Sequence, residues 1–465
     1  RAGTYVEALT LSHKDLTLFG ESGAEATVIT TNFTSRVFDI GADVSLATIL
    51  SDLTFHQGNA NEGGGIRLKE SASPTIRRCR FTANRSFVPE ESSRGGGMLV
   101  GSESHPVIED CLFLDNIADY FCCWPPGYGM GGAIAVASGA QPRVLRTVFT
   151  NNGAAGFEGG FGGGIHVAAS AFAFIQQCTF QDSQGGGIGS NGNITVKECT
   201  FTGNVAYVGA AIGSNGGQCL IEESLFFDNE PWGEGGTLYV FGTGEIRNNT
   251  VAFNGLEHDP NVGGVSVGPG VAMRNNIVAG NKGVGVYCDS QSPSSNACND
   301  VWNNSRGNYF TQCDRTGIDG NVSLDPQFCD EVARDLTISA QSPCVPHGSC
   351  GLIGALGIGC GVEGVAEGEG VATQSPRLLP PSPNPAHSPA TILFELPARA
   401  PVQLRIYDAA GRQVVMLADR TFDAGQHEIA WSGRSADGRD LASGVYFLEL
   451  VSYASRHIER LVLIH

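Results

Sequence analysis

The stretch that decides the fold is Ile76-Arg77-Arg78-Cys79-Arg80-Phe81-Thr82-Ala83-Asn84. It returns as Ile108-Glu109-Asp110-Cys111-Leu112-Phe113-Leu114-Asp115-Asn116, and again at Ile175–Ser183, Val196–Asn204 and Ile221–Asn229. Weaker copies run from Val144 to Asn152, Ile246 to Asn254 and Met273 to Asn281. Within every copy the register from the first apolar residue to the last position is the same. A second segment, Gly-Gly-Gly-Ile or a variant, precedes each: Gly63–Ile66, Gly95–Met98, Gly131–Ile134, Gly162–Ile165, Gly185–Ile188, Gly209–Ile212, Gly235–Leu238 and Gly263–Val265. Only the stretch after the Asn position varies widely in length. Each unit therefore holds two or three short strands with alternating apolar residues, separated by Gly or Asn turns.

No such unit can bury its own apolar face. Stacking units about 4.8 Å apart makes continuous parallel sheets and one continuous core. The fold this predicts for the repeat is all-β, a parallel β-helix solenoid. Equivalent residues must then stack into ladders. Phe55, Phe81, Phe113, Phe149, Phe180, Phe201 and Phe226, continued by Val251 and Val278, form one predicted column. Asn84, Asn116, Asn152, Asn204, Asn229, Asn254 and Asn281 form a predicted asparagine ladder at a turn, its amides hydrogen-bonding along the axis. Cys79, Cys111, Cys178 and Cys199 share an interior position and read as small buried apolar residues.

The repeat resembles right-handed parallel β-helix proteins of the pectin-lyase-like superfamily over about residues 1–360. The opening Gly3-Thr4-Tyr5-Val6-Glu7-Ala8-Leu9 and the closing Asp325-Pro326-Gln327-Phe328 look like the first and final coils of such proteins. The resemblance speaks for fold and not for activity, because function resides in sites grafted onto folds.

Composition agrees. Glycine is 64 of 465 residues, about twice the usual share of roughly 7%. The 28 Lys and Arg against 47 Asp and Glu give a net charge of −19, which argues against a nucleic-acid partner. No apolar run is long enough for a membrane span. Residues 362–382, rich in Gly, Glu, Ser and Pro, read as a linker between a domain at 1–361 and one at 383–465. All of the net negative charge lies before Pro376, beyond which acids and bases balance.

After the linker, strand-like runs at 391–396, 402–407, 413–417, 426–431, 444–451 and 457–464 predict the sandwich. Pro383-Asn384-Pro385, Ile406-Tyr407-Asp408-Ala409-Ala410-Gly411-Arg412, Trp431, Asp437-Gly438 and Ala442-Ser443-Gly444-Val445-Tyr446-Phe447 resemble the Ig-like domain of flagellar hook-capping proteins and the related C-terminal sorting domain of the type IX secretion system. That resemblance implies export to the surface of a Gram-negative bacterium. It departs in ending Leu463-Ile464-His465, where sorting domains often end on a basic residue.

Fourteen cysteines favour an oxidising compartment. Cys288, Cys298, Cys313, Cys329, Cys344, Cys350 and Cys360 read as a disulfide-tied cap, and Cys122 and Cys123 as staples for a loop. Seven cysteines cannot all pair among themselves, so at least one is free or bonded elsewhere. The expected location is extracellular or at the outer cell surface. The chain opens directly in a strand-like run without a signal peptide, so its leader is expected to be absent from the given sequence.

Signals for catalysis are weak. No paired-carboxylate or Gly-His-Gly signature of polysaccharide hydrolases appears, and His166 lies in an interior-type strand, where packing is the expected role. The cluster Glu198, Glu222 and Glu223 has the ligand type for a calcium ion, but no motif supports one. No cofactor and no metal is expected. Cys344 to Cys350 spaces a C-x-x-H-x-x-C, one ligand short of a zinc site. The outward charges of the Ile strands, such as Arg77, Glu109 and Glu222, read as solvated ladders pairing along the sheet.

Three inserted loops follow the same turn on adjacent coils and protrude along one edge. They carry Phe87, Tyr120, Phe121, Trp124, Tyr128, Phe157 and Phe161, a binding-edge candidate for a surface glycan or a protein. The function this favours is a non-catalytic secreted or cell-surface structural or adhesive protein. It would self-assemble head-to-tail through an uncapped solenoid end and the C-terminal domain into extracellular fibres. The alternatives are a secreted polysaccharide lyase or glycoside hydrolase, and a carbohydrate-binding adhesin using the aromatic loops.

Overall fold

The computed structural model describes residues 1–361 apart from 13, 89–91, 120–128, 156–161, 234, 257–261, 290–294, 311–312 and 347–349. Beyond 361 it describes 377–379, 381, 386, 390–396, 400–408, 413–423, 425–435, 439, 441, 444–452 and 455–463. Among these residues three parallel sheets dominate. The Phe sheet has 12 strands, from Gly3–Val6 to Asp300–Trp302. The Ile sheet has 11, from Thr17–Phe19 to Ser295–Ala297, and the glycine-turn sheet has 11, from Leu9–Leu11 to Val284–Cys288.

Register follows the repeat. Phe81 pairs with Phe113, Phe113 with Phe149, Phe149 with Phe180 and Phe180 with Phe201. Their rings stack with centroids 4.4 to 5.1 Å apart, and Phe55 to Phe226 are fully buried. The column extends beyond the repeat read from sequence, to Ile29 at one end and Val301 at the other. Ile76, Ile108, Val144, Ile175, Val196, Ile221 and Ile246 form a second interior column. Burying such side chains stabilises each by roughly 1.5–3 kcal/mol, which a single coil could not achieve.

Three turns close each coil. Gly95 opens the glycine turn at φ 61°, and a Cβ there would lie 2.1 Å from the Met98 carbonyl oxygen. A Cβ on Gly97 would come within 2.7 Å of the Ala133 oxygen and 3.0 Å of the Phe113 ring. Glycine is thus required both for the turn and for close approach to the phenylalanine stack. The other two turns place non-glycine residues in the left-handed region: Arg78, Asp110, Arg146, Gln177 and Glu198 at one, Ala83, Asp115, Asn151 and Asp182 at the other, with φ between 46° and 58°. Such residues persist only where the surroundings over-determine them.

The asparagine column supplies that determination. Asn84 Nδ2 donates to the Phe55 carbonyl and to Asn116 Oδ1, each at 2.9 Å, while the Asn84 N–H donates to the same Oδ1 at 3.1 Å. The pattern repeats from Asn116 to Asn152 and from Asn204 through Asn229, Asn254 and Asn281 to Asn304. Ser183 interrupts it: its N–H reaches Asn204 Oδ1, but its buried hydroxyl has no hydrogen-bond partner.

A second ladder was not foreseen. The cysteine column continues as Ser224, Asn249, Asn276, Asn299 and Asn321. Asn249 Nδ2 donates to Asn276 Oδ1 at 3.0 Å, and Asn276 Nδ2 to Asn299 Oδ1 at 2.8 Å. The cysteines take the same role with sulfur. Cys111 Sγ donates to the Ile76 carbonyl and Cys178 Sγ to that of Val144, both at 3.6 Å. These thiols are therefore ladder members as well as apolar filling.

The chain divides into two compact units, Arg1–Gln327 with Ser342–Gly357, and Phe328–Gln341 with Ile358–His465. The strands Phe328–Asp330, Asp335–Ser339 and Ile358–Cys360 form one small sheet grouped with the C-terminal unit. The expected linker at 362–382 lies mostly outside the described residues. Within it, Arg377–Leu378 is a sandwich strand, pairing antiparallel with Phe394 and Glu395. The sandwich packs a three-stranded sheet of Arg377–Leu378, Ala390–Leu396 and Gly425–Trp431 with a four-stranded one: Gln413–Phe422, Ala400–Asp408, Gly444–Ser452 and Ser455–Leu463. Ile392, Phe394, Leu404, Ile406, Leu448 and Leu450 alternate into its core. No helix among the described residues is long and apolar enough to cross a membrane.

Candidate binding edge of the solenoid

The edge expected to bind follows the asparagine turn. There Asn59–Ala60, Arg85–Phe87, Ile117–Asp119 and Gly153–Ala154 form a narrow parallel sheet. Phe87 is half-buried, with the Arg85 guanidinium 5.2 Å from its ring centroid, and Arg85 pairs with Asp119 on the next coil. Tyr120, Phe121, Trp124, Tyr128, Phe157 and Phe161, with Cys122 and Cys123, lie outside the described residues.

The same edge carries two aromatic residues that the sequence reading missed. Val205–Ala206 pairs in parallel with Glu230–Pro231, and the residues that follow, Tyr207 and Trp232, stack edge to face with centroids 4.9 Å apart. Tyr207 is 39% and Trp232 46% exposed. The signal lay in their equal offset from the asparagine column, three residues after Asn204 and Asn229.

The outward face of the Ile sheet is a ladder of opposite charges. Arg78 grips Asp52 through Nε and Nη2 at 2.8 and 2.7 Å. Arg146 reaches Asp110 at 2.7 Å and Glu109 at 2.9 Å. The trio Glu198, Glu222 and Glu223, whose residue type could bind a cation, surrounds Lys197, whose Nζ lies 3.7, 3.3 and 3.1 Å from them. Arg247 donates through Nε to Glu222 at 2.8 Å. Burial pushes the Glu222 carboxyl up, but Arg247 and Lys197 outweigh it and hold the pKa below its ordinary value. An ammonium thus already occupies the trio. Among the described residues no cluster of three or more His, Cys, Asp or Glu is arranged to hold a metal ion.

His166 is the middle residue of the strand Ile165–Val167 in the glycine-turn sheet. Its two neighbours point into the core, so alternation turns the imidazole to the outer face, where it is nonetheless 5% exposed. Burial, with the nearby Arg94 charge second, lowers its pKa to about 4. It is neutral at ordinary pH.

The cysteine-rich end forms disulfides Cys288–Cys313, Cys298–Cys350 and Cys329–Cys360. Cys344, expected among the disulfide candidates, is corrected to a buried free thiol whose Sγ donates to Asp300 Oδ2 at 3.2 Å. With Cys350 bridged, the sulfur pair of the C-x-x-H-x-x-C spacing is not held for a metal; His347 lies outside the described residues. Asp300 is fully buried, and burial raises its carboxyl to about 6 despite the Leu324 N–H and the Cys344 thiol. From Cys344 the chain runs back over the outer face of the Phe sheet as a strap. Asn248 Nδ2 donates to the Leu352 carbonyl at 2.8 Å, the Gly354 N–H to Asn275 at 2.7 Å and the Ala355 N–H to Thr250 Oγ1 at 3.1 Å. Ile277 and Thr250, outward-facing on that sheet, lie against Gly354 of the strap and are fully buried.

Residues 17–163 and 157–301 match the family model of the right handed beta helix region, and residues 385–455 match that of the FlgD Ig-like domain. No curated protein matches the chain.

Proposed function

The chain belongs to the right-handed β-helix family, and from that premise we propose that it is a non-catalytic secreted or cell-surface structural and adhesive protein. The observation that carries this reading is the use made of its titratable groups. The acid trio closes on Lys197 and Arg247, and the Arg–carboxylate pairs bind one coil to the next. Among the described residues they leave no free pair of carboxylates on that face for acid–base chemistry. Three disulfides favour an oxidising, extracellular setting. The sandwich, matched to an Ig-like domain, serves export or docking in the manner of a type IX sorting domain, at the surface of a Gram-negative bacterium.

The rod assembles head-to-tail. A terminal strand of a second copy adds to a sheet edge at one end of the solenoid by ordinary ladder pairing. Electron microscopy of the purified chain across a concentration series tests this. Filaments with an axial repeat near the length of one chain are expected; monomers alone at the highest concentration overturn the assembly. Turnover of any polysaccharide in a panel assayed with and without calcium overturns the non-catalytic reading.

A further inference from the structure

We propose that Tyr207 and Trp232 form a stacking platform for a neutral, hydroxyl-rich saccharide chain, which would be the adhesive contact of the rod. The proposal rests on the adhesive half of the reading above and is independent of filament assembly.

The platform is built by the solenoid. Trp232 N–H donates to the Ala206 carbonyl at 3.1 Å, so each ring is carried by a backbone locked to its neighbour coil. Gly233 packs directly on Tyr207: a Cβ there would stand 2.7 Å from the ring. Tyr207 is thereby braced on one side and left open on another. The preceding coil has the tightest turn of the repeat, Gln184 followed by glycines 185–187, which carry no side chain, and Tyr207 is 39% exposed. A large aromatic at such a site costs the rod apolar exposure without supporting its core. Held rigidly, it loses little entropy on meeting a ligand.

Polar groups lie on the same edge. Glu230 and Trp232 are two residues apart on an extended segment, hence on one face, and Glu230 is exposed. Gln184 bridges to Val205, the register partner of Glu230, and is also exposed. Flat apolar rings flanked by a carboxylate and an amide suit a pyranose, which offers apolar C–H faces and a rim of hydroxyl donors and acceptors. The carboxylate, on a chain of net charge −19, disfavours acidic saccharides.

The test is isothermal titration or affinity electrophoresis of the full chain against neutral oligosaccharides (gluco-, manno-, xylo- and chito-oligomers), with oligogalacturonate as the acidic comparison. Binding of a neutral oligomer is expected, weakened at least tenfold by Trp232→Ala and Tyr207→Ala and less by Trp232→Phe, with thermal unfolding unchanged in all three. Absence of neutral binding, preference for oligogalacturonate, or equal affinity in wild type and Trp232→Ala would each overturn the platform. Filaments that form normally in Trp232→Ala separate its failure from failure of the assembly reading. Cell adhesion retained by Trp232→Ala would place the adhesive contact elsewhere.

Discussion

The backbone N–H of Cys178 is directed at the sulfur of Cys199 on the next coil, 3.4 Å away. The same column later carries Ser224 and Asn249, which receive the equivalent N–H through oxygen. The column therefore selects for a short side chain with an acceptor atom, and apolarity alone does not satisfy it. Burial pushes the Cys199 thiol well above its ordinary range, so it is a poor nucleophile.

Cys199→Ser is accordingly expected to cost under about 1 kcal/mol, whereas Cys199→Val strands the Cys178 N–H and costs about 1–3 kcal/mol. Urea unfolding of the two variants checks the order. Cys79, Cys111, Cys178 and Cys199 are expected to resist alkylation in the native protein and to react only after unfolding, as peptide mapping would read.

Asn229 donates to Asn254 Oδ1 and to the Phe201 carbonyl, both at 2.9 Å. Asn229→Ala leaves buried donors and acceptors unpaired, and a loss of about 2–4 kcal/mol is expected. The gap at Ser183 invites the opposite change. Ser183→Asn joins the two halves of the ladder and is expected to raise the unfolding midpoint, equivalent to about 1 kcal/mol. A lowered midpoint would mean that the tight coil at Ser183 has no room for the amide.

Asp300 sets a pH dependence of unusual sign. Its folded pKa is raised to about 6 by burial, above the unfolded value of about 3.9. The folded chain binds this proton more tightly, so the contribution is full below about pH 4 and is lost as pH rises through 6. Asp39, Asp52 and Glu222 are shifted the other way, and their contribution is lost in more acid solution, below about pH 4. Asp300→Asn is expected to raise the unfolding midpoint at pH 8 and to flatten its change between pH 4 and 7. Melts across that range in both proteins decide it.

The strap over Ile277 is tied by Cys298–Cys350, residues 52 apart in sequence. Cys298→Ser with Cys350→Ser is expected to cost about 2–4 kcal/mol and to bare the apolar face at Ile277. Binding of a hydrophobic dye by the native double variant, absent in wild type, would report that exposure.

Periodicity explains what was legible. Phe81, Phe113, Phe149 and Phe180 recur in a constant local frame, so columns, turns and the first asparagine ladder follow from residue identity and the spacing of one coil from the next. The second ladder escaped notice because its members change type along the column, from Cys79 through Ser224 to Asn249. The shared property is an acceptor atom, not a letter of the alphabet. The left-handed turn between the Ile and Phe strands was hidden for the same reason, since Arg78, Gln177 and Glu198 carry no turn signature of their own.

By itself the sequence determined the stacked solenoid, its interior columns, the charge ladder and the sandwich, because each depends on contacts between equivalent positions of a repeat. Tertiary structure alone decided that Cys344 meets Asp300 instead of another sulfur, that Ser342–Gly357 doubles back over the Phe sheet, and that Tyr207 and Trp232 stand open on the edge. Those contacts join non-equivalent positions or depend on what a neighbouring turn leaves uncovered. Both are properties of the packed coil and not of any period along the chain.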